Sequence, residues 1–309
     1  MGKSEIAAIL AKMHGMARPQ AFRKTVIRNI RESAKSHKVA VLLSGGVDSH
    51  VALFGALAAG KSPHIYTFTL AGVESRDFRA ARRTADALNL PFTHVELPTD
   101  IDHLKKYVWD IFHTYLPEWE VSKTTVECCW PIMHSIDAIK EPYVITGFGG
   151  DIPYCSARSA KKMYLAGHYK TYLKSAFDVE SKNLQSIFRN TYLQLTSKKL
   201  TFCAPLADKK MLKVFDNFDP FKEGNTPIQK SISRAAFWES LKNPEITVYG
   251  QQPFQKGDTG IEEHFMKLLD TDWHIRGKTP RAIYNAVAKK EVVSPYSTSI
   301  FEQPPKREK

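Results

Sequence analysis

The chain has 309 residues, 43% of them hydrophobic and 25% charged, enough for a substantial core in one large domain or two modest ones. No run approaches the roughly 20 apolar residues of a membrane span, and the opening MGKSEIAAIL has no apolar segment of the secretory kind. Cys128, Cys129, Cys155 and Cys203 form neither a C-x-x-C pair nor a metal-ligand spacing, so the expectation is a reduced, cytoplasmic protein without a membrane partner.

The net charge of +12 is concentrated at the ends: residues 1–38 hold nine Lys/Arg against two acids, and residues 271–309 hold eight against four. Basic ends attract nucleic acid by counterion release, or are simply solvated helix faces and a frayed tail. Residues 1–36 read as a basic helical extension, in which Phe22, Val26 and Ile30 recur at helical intervals over 20–36. Strands and helices then alternate. Strands are expected at 38–43, 64–70, 92–97 and 143–146, and helices at 47–59, 76–88, 101–115 and 125–139. That order predicts an α/β fold with a parallel sheet covered by helices, its core in 37–155. Beyond residue 155 the strand signal fades. Helices are expected at 161–174, 183–195, 209–216, 229–242 and 262–269, making 156–270 a mostly helical part before a basic extension and tail at 271–309.

Within this frame one stretch breaks pattern. The buried-strand run Val39–Leu43 ends in Ser44-Gly45-Gly46, carries one acid at Asp48 beside Val47 and Ser49, and resumes as a helix. A strand turning into a helix through glycines presents backbone N–H groups and a positive helix end to an anion, and a Cβ would block the approach. Ser44 and Ser49 add hydroxyl donors. Asp48 would repel phosphate unless a divalent cation such as Mg²⁺ lay between them. The stretch is neither a Walker loop nor a dinucleotide fingerprint. As bare chemistry it is a phosphate–Mg²⁺ site or a plain tight turn.

Ser44–Ser49 resembles the S-G-G-x-D-S loop of the N-type ATP pyrophosphatases, the PP-loop superfamily. The order of later segments is similar to the synthetase domain of asparagine synthetase and its relatives, over about residues 37–270. Tyr66–Leu70 and the following helix resemble the adenine-side strand, with Thr69 and Leu70 at its end. Val144–Asp151 stands where the family has a glycine-rich segment, here Gly147 and Gly149, with a second metal-binding aspartate, Asp151. Cys203–Lys210 resembles the P-[FL]-x-D segment and Gln229–Phe237 the K-x-x-L-R-x-A-F helix. Gln251–Phe254 with Gly257 resembles the K-x-x-F-x-x-G stretch.

The resemblance implies that ATP binds the loop and that Mg²⁺ is held by Asp48 and Asp151. A substrate carboxylate would then be adenylated with loss of pyrophosphate, and an amine or ammonia would displace AMP to form an amide. Two departures stand out. Phe148 and Ile152 replace acids of the family pattern, and Gln251 replaces a lysine that steadies adenylation, which leaves Lys256, Lys230 or Arg234 to supply the charge. The family's glutaminase half has no counterpart here, so nitrogen would come from free ammonia, a substrate amine or a separate glutaminase subunit. An RNA- or nucleobase-modifying enzyme of the same superfamily, and a nucleotide-binding protein that has lost catalysis, are the competing expectations. No histidine reads as a metal ligand, Cys128-Cys129 reads as buried thiols, and Tyr154 either faces substrate or packs.

Overall fold

The computed structural model of the chain describes residues 2–100, 103–104, 123–156, 158–178, 200–224, 228–249 and 258–267. Two helices, α1 (Lys3–His14) and α2 (Ala17–Ser33), precede an alternating run. It comprises β1 (Lys38–Leu42), α3 (Val47–Ala58), β2 (Ser62–Leu70), α4 (Arg76–Ala87), β3 (Phe92–Leu97), α5 (Lys123–Ser135) and β4 (Tyr143–Ile145). There follow α6 (Arg158–Leu165), helical residues 169–178, and β5 (Thr201–Cys203). The short helices α7 (Met211–Val214), α8 (Ser231–Ala236), α9 (Trp238–Leu241) and α10 (Ile261–Met266) complete the described chain. No helix among the described residues is long and apolar enough to cross a membrane.

The five strands form one sheet in the order β3-β2-β1-β4-β5, and every neighbouring pair is parallel. Strand β1 explains why both faces are covered. Val39 and Val41, with Leu43 just past the strand, join α2 and α3 residues such as Ile30, Val51 and Phe54 in one cluster, while Ala40 and Leu42 join Tyr66, Val144 and Ile139 in another. Alternate side chains of a strand point to opposite faces, so a run of uninterrupted apolar residues needs a cover on each side. The order of strands reverses between β1 and β4, since β2 lies on one side of β1 and β4 on the other. At such a reversal the connections leave in opposite directions and open a crevice at the carboxyl ends.

The parallel sheet and its flanking helices match expectation, and the differences are local. Within the helical extension expected at 1–36, the apolar period is evident over 20–36, and Ile6, Ile9, Leu10 and Met13 also repeat at helical spacing. They pack on Ile228, Ala235 and Trp238, so α1 forms. Helix α2 starts earlier than expected, at Ala17, and its buried Phe22, Val26 and Ile30 belong to the main core. The expected 161–174 helix breaks at Gly167, where φ is +76°. A fifth strand occupies 201–203, whose three residues are too few to carry a period. The 209–216 helix shrinks to α7, and the 229–242 helix is two short pieces. The expected 125–139 helix is α5, and the 262–269 helix is α10. Helix 101–115, apart from His103 and Leu104, helix 183–195 and residues 271–309 lie outside the described residues.

Candidate active site

The loop Ser44–Gly46 follows β1 and leads into α3, while the loop Thr146–Gly150 follows β4. Their contact is made by glycines. A Cβ on Gly147 would lie 2.5 Å from Ser49 N and 2.6 Å from the carbonyl carbon of Asp48, and one on Gly150 would collide with the Asp48 carboxylate. Gly149, at φ +84°, would likewise strike Ala207 at 2.6 Å, so the loop after β5 presses in from the other side. The glycines thus bring Asp48 and Asp151 to one crevice because they leave no side chain between the loops.

Inside the first loop the two hydroxyls hold its shape. Ser44 N–H donates to Ser49 Oγ (3.2 Å), Ser49 Oγ donates to the carbonyls of Ser44 (3.1 Å) and Gly46 (3.0 Å), and Gly46 N–H donates to Ser44 Oγ (3.3 Å). His50, wholly buried one turn into α3, donates from Nδ1 to the Gly46 carbonyl (2.9 Å), and its Nε2 pairs with Thr84 Oγ1 (3.1 Å). Burial pushes the imidazole down to about 4, so it is neutral at physiological pH. Val47, the first residue of α3, is buried beneath the loop.

Lys230 provides the third component. It is 2% exposed, adopts the left-handed conformation (φ 53°) just before α8, and its ammonium pairs with Asp48 and with Asp151 Oδ1, the latter at 2.5 Å. Burial pushes the Asp48 carboxyl up, against the pull of the Lys230 charge, while the two carboxylates hold the Lys230 ammonium above its usual range despite its own burial. Arg234, one turn along α8, is half-buried, acts electrostatically on Asp48, and donates from Nε to the Gln229 carbonyl (3.1 Å). Asp48 Oδ1 is buried without a hydrogen-bond partner. An orphaned oxygen on a carboxylate that shares a lysine with a second carboxylate suits a hard, oxygen-seeking cation. Among the described residues no group of three or more His, Cys, Asp or Glu comes together to hold a metal, so a cation here would need further oxygens from phosphate or water.

Asp77 and Tyr249, neither of them a candidate from the sequence, line the other side of the loop, backed by Arg76 and Asp258. Gly45 N–H donates to Asp77 Oδ1 (3.1 Å) at the start of α4, and Tyr249 N–H donates to the Gly45 carbonyl (2.8 Å). The Tyr249 ring lies under Arg76, whose guanidinium is 5.1 Å from the ring centroid, and Arg76 N–H donates to Asp258 Oδ2 (2.7 Å). Burial pushes the Asp77 carboxyl up, opposed by the Gly45 hydrogen bond. Nothing local in the sequence ties Asp77 to a loop 32 positions away. An acid in a first helical turn reads only as dipole-favoured.

At the end of β2, Thr69 is buried with its hydroxyl paired to His94 Nε2 (2.8 Å), and Leu70 N–H donates to the Thr259 carbonyl (3.4 Å). Tyr154 packs, buried against Phe215 and Phe218, with its hydroxyl hydrogen-bonded to Ser233. Phe148 is 39% exposed at the crevice rim, and Ile152 is buried. Gln251 and Lys256 lie outside the described residues.

The family model described as asparagine synthase matches residues 20–189 of the chain. No curated protein matches it. Among solved structures it is similar to a predicted subunit of tRNA methyltransferase from Methanocaldococcus jannaschii (18% identity, 70% of this chain and 93% of that one, TM-score 0.31). It is also similar to the U34-tRNA thiolase NcsA from Methanococcus maripaludis (16%, 79% and 79%, TM-score 0.33). A third is the NH3-dependent NAD synthetase from Campylobacter jejuni (15%, 69% and 93%, TM-score 0.30).

Proposed function

The chain belongs to the asparagine synthase family, and from that premise we propose that it is an ATP-dependent ligase that activates a carboxyl-type substrate as its adenylate and passes it to an amine. What supports this reading most is the joining of Asp48, Asp151 and Lys230, from three separate segments, at the carboxyl ends of β1 and β4. The start of α3 receives the phosphates, and the N–H groups of Ser44–Gly46 join it by exchanging their bonds to Ser49, Asp77 and Ser44 for phosphate oxygens. Asp48 and Asp151 would hold Mg²⁺, which when bound neutralises phosphate charge. A substrate carboxylate oxygen attacks the α-phosphorus, the bond to the bridging oxygen breaks, and pyrophosphate leaves. The amine then attacks the acyl carbon, AMP departs, and the amine's proton passes to solvent or substrate, since neither Phe148 nor Ile152 can accept it. Lys230 and Arg234 supply positive charge that a neutral glutamine side chain such as that of Gln251 does not carry. Removing one such cation from a water-excluded site commonly costs about 10²–10³-fold in turnover.

The products decide the class. Incubation with ATP, Mg²⁺ and pooled metabolites should give AMP, pyrophosphate and a new amide detectable by mass spectrometry. Arg234→Ala should cut pyrophosphate release by about 10²-fold with a much smaller change in ATP affinity. ADP and phosphate as main products would remove this reading.

A second reading, an enzyme that modifies RNA or a nucleobase, is favoured by one observation. Lys24, Arg28, Arg31 and Lys35 are all exposed and follow one another at intervals of four, three and four residues on and just past α2. Such a stripe suits a phosphate backbone.

A further inference from the structure

The ion pairing of Lys230 bears on the order in which ligands can enter this crevice. Its ammonium sits between the two carboxylates that would hold a cation, in contact with both. The lysine is not a loose surface group that swings in. Its backbone is held in the left-handed region, and the helix it precedes is anchored on both sides. Ser231 Oγ donates to the Glu223 carbonyl (2.6 Å), and Ser233 N–H donates to Tyr154 Oη (3.1 Å). Two carboxylates and one ammonium leave the cluster with a single net negative charge, and Arg234 offsets that in turn.

We propose that Lys230 is an internal counter-ion that excludes a free divalent cation from the Asp48–Asp151 pair, so that the cation enters only with a nucleotide. A dication approaching the pair alone meets a positive charge within contact distance of both ligands, and the repulsion is poorly screened where Lys230 is buried. A phosphate chain changes the balance. It supplies new oxygen partners for the ammonium and further ligands for the cation, so Lys230 can turn from carboxylate to phosphate while the dication takes its place. Cation and nucleotide affinities are therefore coupled, and by linkage each strengthens the other by the same factor. The inference rests on the reading of the aspartates as the cation site.

The test is binding of Mn²⁺, used as a paramagnetic stand-in for Mg²⁺, to the full chain without turnover. The parent should bind Mn²⁺ weakly alone and at least about tenfold more tightly with α,β-methylene-ATP, a coupling in the usual range for linked sites. Lys230→Met should bind Mn²⁺ alone about tenfold more tightly than the parent, with its coupling to the analogue reduced. Lys230→Arg, which keeps the charge, should stay as weak as the parent. Thermal melts of the parent alone give a second readout if Lys230→Met does not fold: Mg²⁺ without nucleotide should leave its melting temperature unchanged, and a rise abolished by Asp48→Asn would overturn the inference. Equal Mn²⁺ affinity of parent and Lys230→Met without nucleotide would also overturn it. The underlying reading fails separately, if Asp48→Asn leaves nucleotide-dependent Mn²⁺ binding intact.

Discussion

Asp48 lies where three demands meet: it starts a helix, touches a glycine of the neighbouring loop, and shares a lysine with a second acid. Asp48→Ala should leave the fold intact, because it removes a buried carboxylate with one oxygen unpartnered and leaves the Lys230 ammonium its second partner, Asp151. It should also remove the Mg²⁺ dependence of ATP binding, read by titration with and without the cation, and a Mg²⁺-dependent affinity equal to the parent's would refute the assignment. Asp77 makes the opposite case. Its carboxylate accepts from Gly45 N–H, on the same loop that would receive phosphate. An asparagine keeps an acceptor there and removes a negative charge from the phosphate's surroundings. Asp77→Asn should therefore tighten ATP binding several-fold, the scale of a like-charge contact at a half-buried site. Unchanged or weaker binding in the titration would show that Asp77 itself serves the nucleotide. The loop itself was legible because its six residues are contiguous and each has a local reason to be there. Asp77 and Tyr249 were not, since only the crossover of β2 and the return of the chain near residue 249 bring them to Gly45.

Helix α2 illustrates how charge can mislead at the scale of an element. Counted by residue, 17–33 is basic. Yet Phe22, Val26 and Ile30 are at most 3% exposed and join the cluster built on β1 and α3. Gly55 allows the close approach, since a Cβ there would lie 2.7 Å from Val26 Cγ1 and 3.0 Å from Ile30 Cδ1. Asn29 closes the contact by donating to the buried Pro205 carbonyl (3.0 Å). Burying three large side chains contributes about 1.5–3 kcal/mol each, a large share of the 5–15 kcal/mol that holds a typical domain together. Removing residues 1–33 should therefore unfold the protein in urea melts, and a truncated chain with the parent's midpoint would show α2 to be dispensable. The α/β alternation was legible for the same reason that α2 packs: apolar residues recur with the period of the element that buries them. The three-residue β5 and the four-residue α7 and α9 are shorter than one informative period, so their form is decided by the neighbours they dock on.

At the scale of the whole molecule, the crevice at the β1–β4 reversal and the charge of α2 are separable features, and separating them decides between the two functional readings. Beside α2 runs the α7 segment: Arg18 donates to the carbonyls of Val214 (2.7 Å) and Asp216 (3.0 Å), and Lys210 pairs with Glu32. Lys209 and Lys213 are exposed there too, so among the described residues the basic surface draws on two distant stretches. Part of this charge is structural, for Arg31 donates to the carbonyls of Ala58 (3.2 Å) and Ala59 (3.5 Å) at the end of α3. Lys24, Arg28 and Lys35 are therefore the residues to reverse, while Arg31 is left in place. If RNA is the substrate, the triple replacement Lys24→Glu, Arg28→Glu, Lys35→Glu should weaken RNA binding. It should also flatten the slope of log affinity against log salt by about 3, roughly one unit for each phosphate that is no longer neutralised. ATP binding should not change, because none of the three residues touches the glycine loops. If the protein acts on a small carboxylate, the same replacement should leave both amide formation and its salt dependence as in the parent. A triple variant with undiminished RNA affinity would remove this face from consideration as a nucleic-acid interface, and the basic charge of α2 would stand as solvation for a helix whose other side is core.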